Sequence, residues 1–394
     1  MNTQSTPVHV KLWHRDFWYL AFANMFLAMS AYMLIPILPL WLLKYCTPSE
    51  MALCMGAFGA GTFLLGGFTS WLVQQYRRNR VCMVSVFVLL VCLAVLYYTE
   101  HTLCIQGSVR NIFPVVLVLR IISGAMFGLS QMVLLSTLVI DTCESFRRTE
   151  ANHSATWFCR FSLPLGPIVS LTVYPYYGLD GVLLISMACC LLSIILIRLV
   201  SFPFKAPEDH LKFFSLDRYF LPQSKWLFVN LVLITFTVGL IVSMQHDEMF
   251  YAMMMTGFFL ALLSQRFVFV HAELKSEVVA SLLLIGAALL MMLSGMGASL
   301  HYLSPLFIGL GIGISCSRFL LFFIKLSHHC QRGTSQSTYL IAWEVGLSLG
   351  LFTGFAFFYG NHRAIVFIAL GATFLSLLQY LFFSHSWYLK NKNR

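Results

Sequence analysis

The chain has 394 residues, of which 59% are hydrophobic and only 10% charged, where an ordinary soluble domain has about 25% charged residues. This composition excludes a solvated globular domain and requires a lipid environment. The formal net charge of +10 does not mark a nucleic-acid binder, because the cations stand at the ends of apolar segments and not in a basic patch.

Apolar runs recur along the whole chain, each long enough for a hydrocarbon core that takes about 20 helical residues to cross. In chain order they are predicted at 17–43, 52–75, 81–98, 112–140, 152–173 and 181–202, then at 224–243, 249–269, 276–294, 301–326, 334–358 and 363–387. The first run is too long for a signal peptide and lacks a small-residue cleavage site, so it is expected to be a retained span. Alternating ten-residue strands are missing, which argues against a membrane barrel. Lys44, Arg110 and Arg363 fall in odd-numbered loops, and Arg120, Arg160 and Arg318 fall inside runs. The remaining Lys and Arg lie in the two tails and the even-numbered loops. The positive-inside rule then predicts cytoplasmic termini.

The 11 cysteines are scattered, with Cys189 and Cys190 adjacent and no CxxC pair, so neither a zinc site nor a disulfide framework is expected. The 12 histidines show no HExxH spacing, and His328 and His329 read as interfacial residues and not as metal ligands. No catalytic or metal residue is expected.

The polar stretch 201–225 divides the chain into 1–200 and 226–394. Its charges mix with Phe213, Phe214, Tyr219 and Phe220, a pattern open to either a short interfacial helix or a plain linker. The two parts echo one another. RRTEANHSATWFCRFSLPLGP lies over QRGTSQSTYLIAWEVGLSLGL, which sets Arg148 over Arg332, Gly166 over Gly350 and Arg160 over Glu344. LVQQYRR, from Leu72, lies over LLSQRFV, from Leu262, and sets Gln74 over Gln265, with Arg266 beside it.

Twelve predicted helices in two related sets of six resemble the major facilitator superfamily of secondary transporters, closest to its bacterial drug and metabolite efflux members. The sharpest local match is RIISGAMFG, where Gly124 and Gly128 form a GxxxG packing face and Arg120 stands where the family's proton-transfer arginine stands. The alternative for Arg120 is a structural role on backbone carbonyls or a loop acid. The family's loop motif between helices two and three is degenerate in SWLVQQYRRNR: Gln74 replaces the acid and Arg77 the glycine, while Arg78 and Arg80 remain to grip a neighbouring helix. Leu165, Gly166 and Pro167 resemble the glycine-proline motif of antiporters, in a helix that Pro167 would kink whatever the direction of transport. The resemblance implies an all-α membrane protein of two pseudo-symmetric six-helix bundles, acting as a monomer in a bacterial inner membrane. It also implies a small-molecule substrate, a proton gradient as energy source and no cofactor.

A mid-helix arginine costs about 2.5–3.5 kcal/mol on insertion scales, so Arg160 requires compensation. Glu344 is the acid expected well inside a run, at the repeat-related position. The pair is expected in a central cavity, joined directly or through substrate, with the alternative of a static ion pair. Trp157, Trp343, Tyr339, Asn24 and Tyr32 are expected to line the cavity. Arg318, which lacks an obvious acidic partner in the sequence, is expected either to face it or to snorkel. A substrate with an anionic group follows from the excess of Arg over acid inside the runs. Two other classes compete: a multispanning transferase, which would need a catalytic His or Asp pair near an interface, and a non-transporting receptor or scaffold. No GxxxxGK[ST] loop is present for ATP-driven transport.

Overall fold

Where no water reaches the backbone, an apolar chain folds as helix because each N–H and C=O is then satisfied within its own segment. The computed structural model describes residues 11–106, 112–144, 146–202, 212–244, 247–269, 272–294, 297–328 and 331–392. Among the described residues there is no β-strand.

The first apolar run divides at Met33 into α1 (Arg15–Tyr32) and α2 (Leu34–Leu42), the latter holding Pro36 and Pro39. Helix α3 (Pro48–Leu64) opens on a capping box, Thr47 with Glu50, and has Pro48 in its first turn, where a missing N–H leaves no bond unmade. A tight turn at Gly66–Phe68 leads into α4 (Thr69–Gln75). Then come α5 (Arg78–Gln106), α6 (Ile112–Val133), a π turn at Leu134–Leu138 and the short α7 (Val139–Asp141). Helix α8 (Arg148–Leu199) is 52 residues long and breaks at Gly178, where φ 62° and ψ −159° define a region essentially closed to any other residue.

The rest of the chain forms α9 (Lys225–Val242), α10 (Glu248–Phe267), α11 (Leu274–Ser294), α12 (Gly297–Leu326), α13 (Arg332–Phe357) and α14 (His362–Gln379). A second π turn at Tyr380–Ser384 joins α14 to α15 (His385–Asn391). Among the described residues, 10 helical segments are long and apolar enough to span a membrane. Helix α8 is one of these although it covers two of the predicted runs, and α10 is not one of them.

Contacts repeat along the chain. Helix α1 packs on α8 and α3 on α6; later, α9 packs on α13 and α10 on α12. Glycines permit these close approaches. A Cβ on Gly124 would stand 1.9 Å from the Phe58 carbonyl oxygen, and one on Gly128 would stand 3.1 Å from Thr62. In the later set, a Cβ on Gly309 would stand 2.2 Å from the Met254 carbonyl oxygen. The two sets meet where α3 packs on α13 and α8 on α10. On the outside, Val84, Phe87, Val91, Val95 and Tyr98 of α5 are all exposed. Their helical spacing makes one apolar stripe, the surface expected against lipid.

In the polar stretch, the described residues between Leu199 and Lys225 contain no α-helix, only a 3₁₀ turn at Pro222–Ser224. Phe213 and Phe214 instead pack edge-on against Phe68, and Phe213 also meets Trp71. Both rings remain largely exposed while making these edge contacts. Residues 203–211, and with them part of the predicted linker, lie outside the described residues, as do Arg110 and His329.

Candidate functional site

The first half of α8 and all of α13 carry the repeat that sets Arg160 over Glu344, and both side chains are buried, at 2% and 3% exposure. Helix α8 holds Pro164 and Pro167 in the turns after Arg160, and Gly166 lets it approach α1, where a Cβ would stand 3.0 Å from the Met33 nitrogen. Side chains of α8 and α1 both reach α13, through Arg160 to Tyr339 and Tyr32 to Glu344, and so form one seam.

Arg160 is held by the later half of the chain. Its Nε and Nη2 donate to Tyr339 Oη at 3.2 and 2.7 Å, and Nη2 also donates to the Cys316 carbonyl at 2.8 Å. The guanidinium lies 5.0 Å from the Trp157 ring and 5.5 Å from that of Tyr339. A flat, weakly hydrated cation suits such aromatic surroundings. Nη1 has no hydrogen-bond partner.

Glu344 has a different set of partners. Tyr32 Oη donates to its Oε1 at 2.6 Å, and Trp343 Nε1 donates to Tyr32 Oη at 3.1 Å. Glu344 Oε2 is unpartnered. No ion pair joins Arg160 to Glu344, so the direct pairing considered from the sequence is not formed. Each charge is held instead by groups from other helices, Arg160 by Tyr339 and the Cys316 carbonyl and Glu344 by the phenol of Tyr32. Cys159, the residue before Arg160, accepts from Gln131 Nε2 at 3.0 Å.

Of the other expected lining residues, Asn24 is buried and donates to the Ala155 carbonyl at 3.1 Å, which ties α1 to α8. Trp157 is buried with its Nε1 unpartnered. Arg120 sits apart from this seam, with its Nε donating to the Cys54 carbonyl at 3.4 Å and its guanidinium 4.5 Å from the Phe58 ring. These contacts stitch α6 to α3.

Arg318 does have an acidic partner. Its Nε lies 2.5 Å from Glu277 Oε2, and Glu277 is only 1% exposed. Glu344 is therefore not the sole buried acid, and Glu100 is buried too, where it accepts from Trp41 Nε1. Glu277 stands in the first turn of α11, close to a predicted run end, and position along the sequence alone marked it as a helix-end residue.

In the degenerate loop, Arg78 pairs with Asp141, while Arg80 is exposed. Gln74, with its side-chain amide turned, accepts from Arg218 of the polar stretch at 3.1 and 3.3 Å. Arg266 stacks over Phe267 at 5.8 Å. Gln265 does not act as a loop residue. Ser317 Oγ donates to its Oε1 at 2.9 Å, and this leaves His153 Nε2–H as the donor to Ser317 at 2.6 Å. Together with Gln336 Nε2, which donates to Thr156 Oγ1 at 2.9 Å, this chain binds α8 to α10, α12 and α13. His153, Ser317 and Gln336 carried no sequence signal, because single polar residues in or at the ends of apolar runs do not reveal their partners on other helices. Among the described residues no three His, Cys, Asp or Glu side chains converge as a metal site would require.

Comparison with known proteins places this architecture. The family model described as Major Facilitator Superfamily matches residues 20–351, and no curated protein sequence matches the chain. Among solved structures, the human organic anion transporter MFSD10 aligns with a TM-score of 0.69 at 13% identity, covering 93% of this chain and 98% of that one. A bacterial homologue of the iron transporter ferroportin, in an outward-facing state, aligns at 0.67 with 15% identity, covering 95% and 99%. A point mutant of the nucleoside transporter NupG aligns at 0.65 with 12% identity, covering 93% and 99%. At such identities the likeness is one of fold. With the family model spanning most of its length, the chain belongs to the Major Facilitator Superfamily and is a multi-pass membrane transporter, not an enzyme.

Proposed function

We propose that this transporter is a proton-coupled secondary carrier of a small amphipathic organic solute with an anionic group, working by alternating access and favouring efflux. Counting α8 as two spans about Gly178 and adding α10 gives twelve spans, in two six-helix bundles whose shared seam holds the substrate site. Both termini are placed in the cytoplasm of a bacterial inner membrane, and one chain encloses the pathway, so a monomer suffices.

The observation that carries this reading is a pair of buried opposite charges at one seam, each with an unused hydrogen-bonding atom. A static structural pair would close on itself, because an unsatisfied buried charge is expensive. Arg160 and Glu344 stay apart, each held by a tyrosine, and so keep capacity for a guest and a proton. Glu344 is the proposed proton carrier, since a substrate group that engages its carboxylate competes with a proton there.

Substrate-dependent proton flux into proteoliposomes, compared between wild type and Glu344→Gln, tests the reading. Flux that vanishes in the variant supports coupling at Glu344. Undiminished flux would reduce the seam to packing and move the search to Arg120.

A further inference from the structure

We infer that the substrate is a zwitterion: an α-amino-acid-like headgroup on an apolar side chain, its carboxylate on Arg160 and its ammonium on Glu344. This rests on the transport reading above and names the substrate class of the same site.

Charge balance inside the helices decides the class. Arg318 is matched by Glu277 at 2.5 Å, and Arg120 is held on the Cys54 carbonyl and the Phe58 ring. With Arg318 paired and Arg120 held away from the seam, the seam itself offers one positive and one negative group. Arg160 Nη1 and Glu344 Oε2 are both left without a partner. A simple anion would satisfy the first and strand the second, and a simple cation would do the reverse. A buried polar atom left unpaired penalises the ligand that fails to reach it, so a ligand bearing both charges is selected over either alone.

Arg160 and Glu344 are held by different tyrosines and not by each other, so each is able to make its own charge-assisted contact of about 2.8 Å to a separate group of one ligand. Trp157 adds an unpartnered indole N–H beside the guanidinium. Its ring packs against Phe161 at 5.6 Å and Phe258 at 6.4 Å, an apolar wall suited to the ligand's side chain.

The test measures binding to the full chain in lipid nanodiscs by tryptophan fluorescence, with three probes that share one ring: phenylalanine, N-acetyl-phenylalanine and phenylalaninamide. Leucine and phenylalanyl-alanine run alongside to vary size. Phenylalanine or one of its zwitterionic companions is expected to bind at least tenfold more tightly than either singly charged probe. Glu344→Gln should lower that affinity to the level of the N-acetyl probe, and Arg160→Gln to the level of the amide. Arg160→Lys, which keeps the charge, covers the case in which Arg160→Gln fails to fold, and should retain the preference for both charges. An N-acetyl probe that binds as tightly as the zwitterion, still dependent on Arg160, overturns the zwitterion while leaving an anion carrier intact. Binding indifferent to both substitutions would move the site elsewhere and remove both readings. Failure of all three zwitterions to bind also overturns the inference, and the proton-flux assay then decides separately on transport.

Discussion

Tyr32 joins α1 to α13 through two hydrogen bonds. Its phenol donates to Glu344 and also accepts from Trp343. Tyr32→Phe strands the carboxylate oxygen and the indole N–H together. Hydrogen bonds to charged groups contribute about 1.5–3 kcal/mol in water-soluble proteins, and inter-helix bonds in membranes average about 0.6 kcal/mol. Tyr32→Phe should therefore destabilise by about 1–2 kcal/mol, read from thermal denaturation in detergent; an unchanged melting temperature would remove Tyr32 from the energetics of the seam. Glu277 and Arg318 allow a sharper comparison. Removing one partner of a buried ion pair costs about 3–5 kcal/mol, while an isosteric apolar replacement of both is often neutral. Glu277→Gln is expected to be severe, and the double variant Glu277→Met with Arg318→Met to recover most of the loss. If the double variant is as damaged as the single one, the pair acts through contacts other than its charges.

Helices in this molecule approach each other through glycine, and the consequence differs by position. A Cβ at Gly124 runs into the backbone oxygen of Phe58 at 1.9 Å, whereas one at Gly286 in α11 meets nothing within 4 Å. Gly124→Ala should overpack the α3–α6 contact and destabilise by about 1–3 kcal/mol. Gly286→Ala should be neutral or stabilising by up to about 1 kcal/mol from helix propensity alone. Equal effects on the melting temperature would mean that α3 and α6 can separate without loss. At Gly178 the surroundings are open, and the constraint is the backbone angle. Gly178→Ala is expected to cost about 1–3 kcal/mol in strain, visible as a lower melting temperature or as poor insertion of the α8 break.

At the scale of the whole molecule the proposed topology makes a directional prediction. Tyr176, next to the α8 break, and Lys390, in α15, are both exposed. With twelve spans an odd number separates them, so Tyr176→Cys and Lys390→Cys should react with an impermeant maleimide from opposite faces of intact cells. Labelling from the same face would break the twelve-span count or the orientation of the termini. Both positions were readable in the sequence as run ends, because apolar length and cation placement are properties of the local chain.

The all-helical membrane class followed from composition, since a chain with so few charges and runs of this length has no other way to satisfy its backbone in lipid. The internal repeat set Arg160 over Glu344, and both side chains are buried, Arg160 bonded to Tyr339 of α13 and Glu344 to Tyr32 of α1. Their partners were not legible. That Tyr339 and the Cys316 carbonyl take the guanidinium, that Tyr32 takes the carboxylate, and that Glu277 neutralises Arg318 all depend on residues brought together from distant helices. Hydrophobic periodicity records how deep a side chain lies and which face of its helix it occupies. It does not record which neighbouring helix that face meets, and in this protein those neighbours decide which buried charges are paired.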